Sequence, residues 1–318
     1  MSENKRSALL AGLTPAEKFL FTGVSLLIVG LAFQFLGAFL AAWIYGHEIR
    51  DMLALSALEE EGYVSAFKFM QVFGSVGTFI VPAFLFSFFF TGSFTAYYPF
   101  AKMHGFFSAL LIVLMMLSII PFVNYIAEWN LKMRFPIESI DAMFRSLEVE
   151  AEKIMDSFTS TRTFGGLMVN LLMIGVIASV GEELIFRGLL QRIFTPRFRN
   201  AHVAILVTAF LFSSFHFQFL SFLPRFILGI VLGYVLYYGR SIWYPILAHF
   251  VNNTLGVVYY FFYSRGSSED LWEDIGTSSF LPVSAILSLL LFLLFFVGWF
   301  YIVRIASPHP QSLKNGTD

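Results

Sequence analysis

The sequence predicts an all-α protein, a polytopic membrane helix bundle of about eight transmembrane helices plus one amphipathic helix. Its 318 residues are 58% hydrophobic and only 13% charged, with a mean hydropathy of +0.75. A soluble domain carries roughly 25% charged residues. The charges are missing from long stretches and concentrated between them. Many of these stretches approach or exceed the about 20 residues that a helix needs to cross a hydrocarbon core of ~30 Å.

Composition also excludes several classes of function. The net charge of −1 provides no basic surplus for binding nucleic acid. The chain has no cysteine, which excludes disulfides, thiolate metal sites and cysteine nucleophiles.

Eight apolar runs give the predicted membrane helices in order. They cover residues 19–46, 69–101, 105–127, 163–186, 202–217, 224–238, 243–263 and 278–303. The fifth and sixth runs are short, and the second is long enough to be tilted or partly interfacial. The first run is too long for a signal peptide, so we expect a retained anchor. No repeat or soluble linker interrupts the runs, which predicts a single membrane domain over 1–318.

The longest connection, about 128–162, predicts an amphipathic helix over 139–159 with Ser139 as its N-cap. Its apolar positions recur at helical spacing, and its other face is acidic, carrying Glu138, Asp141, Glu148, Glu152 and Asp156. An acidic face gains nothing from anionic lipid, so we expect this helix to pack over the bundle. A gate over a site in the bundle is the alternative.

The basic residues predict the orientation, since cytoplasmic connections carry an excess of Lys and Arg. With both termini inside a cell membrane, the cytoplasmic side receives Lys5, Arg6, Lys18, Lys102, Arg192, Arg197, Arg199, Arg240, Arg304 and Lys314. The opposite side receives the acidic stretches Glu59 to Glu61, 138–156 and Glu269 to Asp274. The lipid bilayer is therefore one expected partner of the chain.

Ionisable residues at membrane depth are costly and indicate function. The first, second, third and eighth runs contain none, and the exceptions cluster in the second half: Glu182, Glu183, Arg187, His216 and His249, with the polar Asn253. By contrast His47, His104, His202 and His309 lie in connections or tails, where we expect solvation. Asn170 and Asn252 are predicted to serve helix packing.

Helical geometry assigns different partners to the two glutamates. Glu183 and Arg187 are four residues apart and can form an ion pair, whereas Glu182 lies ~100° away around the helix. His249 and Asn253 share a face and can point into one cavity. Three helices then supply a carboxylate, imidazoles and a carboxamide, which together can activate water and stabilise an oxyanion. This inventory suits the hydrolysis of an amide.

Three ordered motifs carry a family resemblance. Glu182 to Arg187 has the pattern E-E-x-x-x-R, Phe212 to His216 has F-x-x-x-H, and His249 to Asn253 has H-x-x-x-N. In this order they resemble the type II CAAX prenyl endopeptidases, also called CPBP intramembrane proteases, which include proteins like lysostaphin resistance protein A. The resemblance covers about residues 160–262, the expected catalytic core, and leaves 1–159 unassigned.

The resemblance implies a role for each motif residue. Glu182 would activate water with help from His216, Glu183 would pair with Arg187, and His249 with Asn253 would form the oxyanion site. The substrate would be a peptide or protein, possibly lipidated, of the CAAX type or a processed peptide or bacteriocin. We favour a mechanism without a cofactor. The alternative is a catalytic zinc ion held by Glu182, His216 and His249, because such sites use three protein ligands.

Two other functions stay open. A proton-coupled transporter would use the same residues as a relay, but it predicts inverted repeats, and the sequence has none. A non-catalytic membrane scaffold or regulatory protein would retain the motifs without chemistry. For the catalytic reading, Glu182 and His216 must lie at similar depth. We therefore expect the fourth helix to continue through Gly188 to Phe194 before turning at Pro196.

Overall fold

The computed structural model describes residues 8–54, 57–58, 60, 62–263 and 282–306. The described residues form helices and connections and contain no strand. Some sequence-based expectations concern residues outside this part: Lys5, Arg6, Glu59, Glu61, Glu269 to Asp274, 278–281, His309 and Lys314.

Eight helices of the described chain follow the apolar runs, and one follows the long polar connection. They are α1 Pro15–Tyr45, α2 Tyr63–Thr91, α3 Gly105–Leu131, α4 Glu138–Thr159, α5 Phe164–Phe198, α6 Ala201–Ser214, α7 Phe219–Gly239, α8 Trp243–Tyr263 and α9 Pro282–Ala306. Within the described residues, α1, α2, α3, α5, α7 and α9 are long and apolar enough to cross a membrane. The all-α membrane bundle is thus confirmed and the protein is an integral, multi-pass one, whereas the count of eight spans stays a prediction.

Several helix bounds differ from the apolar runs for local reasons. Helix α2 begins and ends earlier than the run 69–101, and it ends at Thr91 because Gly92 adopts a left-handed φ of 75°. A short helix, Phe94–Tyr97, follows and is capped by the Ser93 hydroxyl. Helix α6 has 14 residues and ends at Ser214, short of the predicted 217.

Helix α5 is the central helix of the bundle and extends well beyond its predicted run. It covers 35 residues, and every residue from 183 to 191 is buried, as expected for a helix that is packed on all sides. It ends at Phe198, where Arg199 has a φ of 51°. The predicted continuation through Gly188 is therefore confirmed, although the helix ends beyond Pro196. Two wide π-helical turns, Leu171–Ile177 and Leu184–Leu190, flank the motif glutamates; such turns are frequent at functional sites.

Successive membrane helices run in alternating directions, so α1 and α8 begin at the end of the bundle where α5, α7 and α9 end. Near the start of α1, Phe19 packs against Phe194 at the end of α5, with ring centroids 5.2 Å apart. Phe100, after α2, packs against Trp243 at the start of α8, and Tyr238 of α7 packs on a ring near the end of α9. We call this the basic end. It holds the cations Lys18, Lys102, Arg192, Arg197, Arg199, Arg240 and Arg304.

The amphipathic helix α4 packs on the opposite end of the bundle, as expected. Its Phe144 ring lies 4.3 Å from the ring of Phe219, and the Phe158 carbonyl accepts a 2.7 Å hydrogen bond from the Asn170 amide of α5. The predicted Ser139 cap is wrong. The helix begins at Glu138 without a side-chain cap, because Asp141 instead accepts the backbone N–H of Phe135, at 3.0 Å.

The predicted acidic outer face of α4 needs one correction. Glu148 turns toward the bundle, where its Oε1 accepts hydrogen bonds from the Gln218 amide at 3.2 Å and from the Ser221 hydroxyl. The other predicted members Glu138, Glu152 and Asp156 are exposed. The i, i+4 pattern identified the amphipathic character of the helix. It did not reveal that a polar connection between α6 and α7 lies within reach of one acidic side chain.

Candidate active site

The Glu183 carboxylate lies at the centre of a buried charged triad. Its Oε1 accepts a 2.7 Å bond from Nη1 of Arg187 and a 2.8 Å bond from Nδ1 of His249. The side chains of Glu183 and Arg187 have no exposed surface, and that of His249 is 7% exposed. The predicted ion pair within α5 is therefore confirmed. The contact with His249, 66 residues along the chain, is an addition that the sequence did not reveal.

The Arg187 guanidinium is held from two further directions. Its Nη2 donates to the Gly229 carbonyl of α7 at 3.2 Å, and its Cζ lies 4.4 Å from the centroid of the Phe212 ring. A Cβ at position 229 would lie 3.0 Å from the Cβ and 3.1 Å from the Cα of Ala209. Glycine at this position thus lets α7 approach α6 closely while its carbonyl reaches the buried cation.

Glu182 faces a different set of partners, as its position around the helix predicts. Its Oε2 lies 4.0 Å from Nε2 of His216 and 3.8 Å from Nε2 of His249. Both distances exceed that of a direct hydrogen bond. This Oε2 is buried and accepts no hydrogen bond from the described protein atoms. The structure therefore brings one carboxylate and two imidazoles from three helical segments together, and leaves that carboxylate oxygen without a direct donor.

Both imidazoles are fixed through their far nitrogen. Nδ1 of His216 lies 2.9 Å from the Phe212 carbonyl, and Nδ1 of His249 lies 2.8 Å from the Glu183 carboxylate. A carbonyl or a carboxylate accepts, so each Nδ1 is the protonated nitrogen and each Nε2 points at Glu182. His216 itself lies two residues beyond the end of α6, in a turn where Phe217 adopts a positive φ of 55°.

A cavity of about 80 Å³ opens beside these groups. Its polar lining comes from His216, Arg225, His249, Asn252 and Asn253, and its apolar lining from Met116, Phe212, Leu228 and Leu232. His249 and Asn253 thus share a cavity, as their spacing on α8 predicts.

Asn253 is oriented by α5. Its Nδ2 donates to the Ile174 carbonyl at 3.0 Å, within the first π-helical turn. Its Oδ1 accepts from the Asn252 amide at 3.3 Å. One N–H of the Asn253 carboxamide is therefore used in positioning, and the second remains for another acceptor. Asn252 was predicted to serve helix packing, but it lines the cavity and bonds its neighbour.

Arg225 is a site residue that sequence reasoning missed. Its guanidinium lines the cavity and donates to the Gln218 carboxamide at 2.6 Å, and Gln218 in turn donates to Glu148 of α4. The signal was available, because Arg225 is a charged residue within the sixth apolar run. The chain from Glu148 through Gln218 to Arg225 connects the amphipathic helix with the cavity.

The remaining polar predictions have mixed outcomes. His202 is exposed as expected, although its Nδ1 lies 3.0 Å from the Tyr234 hydroxyl. His47 is only partly exposed, and its ring stacks on Tyr63 with centroids 3.8 Å apart. His104 is likewise partly exposed and packs near a tyrosine ring. Asn170 joins α5 to α4, which agrees with a packing role.

The alternative zinc ion, held by Glu182, His216 and His249, stays a prediction. In the described chain, no group of three or more His, Asp or Glu side chains is arranged to hold a metal ion. Glu182, His216 and His249 converge, but we assign no chemical step to a metal.

Fold and site together define a multi-pass membrane protein with a carboxylate and imidazole centre between its helices. Residues 164–255 match the Rce1-like family, described as type II CAAX prenyl endopeptidase Rce1-like. This match confirms the resemblance derived from the three motifs, and it lies within the predicted region 160–262. The chain is also similar to an uncharacterized 24.3 kDa protein of Escherichia coli, with 25% identity over 119 residues. That similarity covers 36% of this chain and only 55% of the relative. No solved structure matches the chain.

Proposed function

We propose that this protein is an intramembrane endopeptidase that hydrolyses a peptide bond with water activated by Glu182. One observation carries the proposal: Glu182 Oε2 lies within 4.0 Å of Nε2 of both His216 and His249, beside a polar cavity. The match of 164–255 to a family of prenyl endopeptidases supports the same class of reaction.

Glu182 is the proposed general base. A gap of 3.8–4.0 Å between a carboxylate oxygen and an imidazole nitrogen suits one bridging water molecule, which can bond to both groups. Because Nδ1 of His216 donates to a backbone carbonyl, its Nε2 can accept a hydrogen bond from the same water. The water is then oriented by two acceptors, and Glu182 removes its proton as the oxygen attacks the carbonyl carbon.

His249 and Asn253 are the proposed oxyanion donors. Glu183 holds Nδ1–H of His249, and Nε2 of the same ring is the nitrogen that would donate to the oxyanion. Glu183 therefore acts as a positioning residue that fixes the ring plane. The second N–H of Asn253 supplies another donor, since the first is bonded to Ile174. Donors fixed before the reaction stabilise the developing charge without rearrangement.

The proposed cycle balances its protons. Water adds its oxygen to the carbonyl carbon, and its proton goes to Glu182, giving a tetrahedral intermediate with a negative oxygen. When this intermediate collapses, the C–N bond breaks and the proton moves from Glu182 to the leaving nitrogen. The products are a carboxylic acid and an amine, and Glu182 returns to its carboxylate form.

The substrate and the setting remain part of the proposal. We expect a peptide or protein, CAAX-type or otherwise processed and with or without a lipid group, and the bilayer as the environment. The concentration of cations at the basic end supports an arrangement in a cell membrane with both termini in the cytoplasm. Nucleic acid is not an expected partner, since the chain carries a net charge of −1.

The test is cleavage of a peptide library, with and without prenylated members, by the purified full-length protein in detergent. Glu182→Gln should lower the cleavage rate by about 10²–10⁴-fold, because an amide cannot accept the proton. Glu48→Gln is the matched control, since Glu48 is exposed and ion-paired with Arg50 at the surface, and it should cleave like the wild type. Cleavage by folded Glu182→Gln at the wild-type rate would refute the proposal.

A further inference from the structure

A second cavity, of about 230 Å³, lies at the basic end between α1, α2 and α5. It is lined by two cations, Lys18 and Arg192, and by the rings of Phe90 and Tyr97. The rest of its lining comes from Pro15, Thr91, Ile193 and Pro196, so no carboxylate contributes. It shares no lining residue with the cavity beside Glu182.

Aromatic rings, rather than carboxylates, support the two cations. Lys18 Nζ lies 5.3 Å from the centroid of the Phe90 ring and donates to the Ala11 carbonyl at 3.3 Å. Arg192 Cζ lies 4.6 Å from the centroid of Tyr97. Such cation–π contacts fix a cation without neutralising it. Within the described chain, neither cation forms an ion pair, so both charges can bind an anion.

The charge around the cavity favours an anion further. Glu17 is the described acidic residue at the basic end, and it is committed to the N-cap of α1. Its Oε2 accepts from the backbone N–H of Thr14 at 2.7 Å and from its hydroxyl at 2.9 Å. Lys102, Arg197, Arg199 and Arg304 lie at the same end, so cations outnumber carboxylates there among the described residues.

We propose that Lys18 and Arg192 bind the phosphate ester of an anionic phospholipid. The cavity lies near the start of α1 and the ends of α2 and α5, where we expect lipid headgroups, and basic pockets between membrane-spanning helices bind anionic headgroups. Its proline, phenylalanine and isoleucine walls suit the glycerol and upper acyl carbons. A free phosphate ion shares the charge but gains nothing from these apolar walls.

The experiment uses full-length protein in phosphatidylcholine nanodiscs with and without phosphatidylglycerol, and counts retained phosphatidylglycerol by native mass spectrometry. The double variant Lys18→Gln/Arg192→Gln should retain it roughly thirtyfold less tightly, since each cation near an anionic surface contributes about fivefold. The matched control Lys102→Gln/Arg197→Gln removes the same charge from the same end but outside the cavity, and it should lose clearly less affinity than the double variant. Unchanged melting temperatures in phosphatidylcholine alone verify that both variants fold.

Two results would overturn the proposal: wild-type retention by the double variant, or equal losses in both variants, which would indicate diffuse charge. A separate arm adds inorganic phosphate to protein in phosphatidylcholine. If phosphatidylglycerol raises the melting temperature and inorganic phosphate does not, the result supports the lipid as the source of the phosphate group. Stabilisation of the wild type but not of the double variant by phosphate would overturn the assignment to lipid.

Discussion

The two adjacent glutamates offer the sharpest test of the site, because the same isosteric substitution should destabilise the protein at one position and leave its stability nearly unchanged at the other. Glu183→Gln removes a charge that is 0% exposed and that contacts Arg187 at 2.7 Å and His249 at 2.8 Å. Breaking a buried ion pair from one side costs about 3–5 kcal/mol. Because glutamine keeps an acceptor oxygen at this position, we expect a loss near the lower limit, about 3 kcal/mol.

Glu182→Gln should behave differently. The Glu182 side chain is 13% exposed, and its Oε2 accepts no hydrogen bond within the described chain. Its charge is therefore desolvated without a direct partner, so neutralising it should leave the free energy of unfolding within about 1 kcal/mol of the wild type or raise it. Cleavage should nevertheless fall by about 10²–10⁴-fold, the usual contribution of a general base.

Thermal unfolding in detergent, followed by tryptophan fluorescence and paired with cleavage rates, separates the two effects. A loss of about 3 kcal/mol is a large share of the 5–15 kcal/mol typical of folded domains, so the melting temperature of Glu183→Gln should fall clearly. Arg187→Met provides the second side of a double-mutant cycle, and the combined variant should cost less than the sum of the two. Equal destabilisation by Glu182→Gln and Glu183→Gln would refute the division of roles.

Three further predictions follow from other contacts. Chelation by EDTA or 1,10-phenanthroline should leave cleavage unchanged, and a loss restored by added zinc would contradict the metal-free mechanism. Asn253→Ala should lower kcat by about 10²–10³-fold, as removal of one oxyanion donor does, while Asn252→Ala, which removes a donor to Asn253, should lower it less; steady-state kinetics measure both. The protection of the 134–145 amides against hydrogen exchange, relative to the intrinsic rate at each pH, should fall as the pH drops from about 4 toward 2, because hydrogen bonds from Arg145 and a backbone amide lower the pKa of Asp141 from 3.8 to about 2. Stability from a lowered carboxyl pKa is lost on acidification, so Asp141→Asn should already exchange fast at pH 4.

Local spacing predicted the contacts within single helices. The pair of Glu183 and Arg187 follows from four-residue spacing alone, and it survives although the helix widens to π geometry from Leu184. The separation of the two glutamates around the helix likewise follows from the turn angle. The composition and the length of the apolar runs were sufficient for the membrane bundle.

Contacts between helices were outside the reach of such patterns. Spacing on α8 identifies which side chains share a face. It does not reveal that His249 contacts Glu183 as well as Glu182. Asn252 was assigned to helix packing as a polar residue at membrane depth, whereas both carboxamides, those of Asn252 and Asn253, line the cavity. The contact of Glu148 with the α6 to α7 connection joins residues 70 or more positions apart.

The different contacts of Glu182 and Glu183 are the basis for the different roles that we propose for these two adjacent carboxylates. Arg187 contacts the carboxylate of Glu183. The Oε1 atom of this carboxylate accepts hydrogen bonds from both the guanidinium and the His249 ring. Glu182 Oε2 lies 3.8–4.0 Å from two imidazole nitrogens, distances that suit a bridging water. In the proposed mechanism Glu182 therefore takes the proton from water, while Glu183 fixes the imidazole of His249.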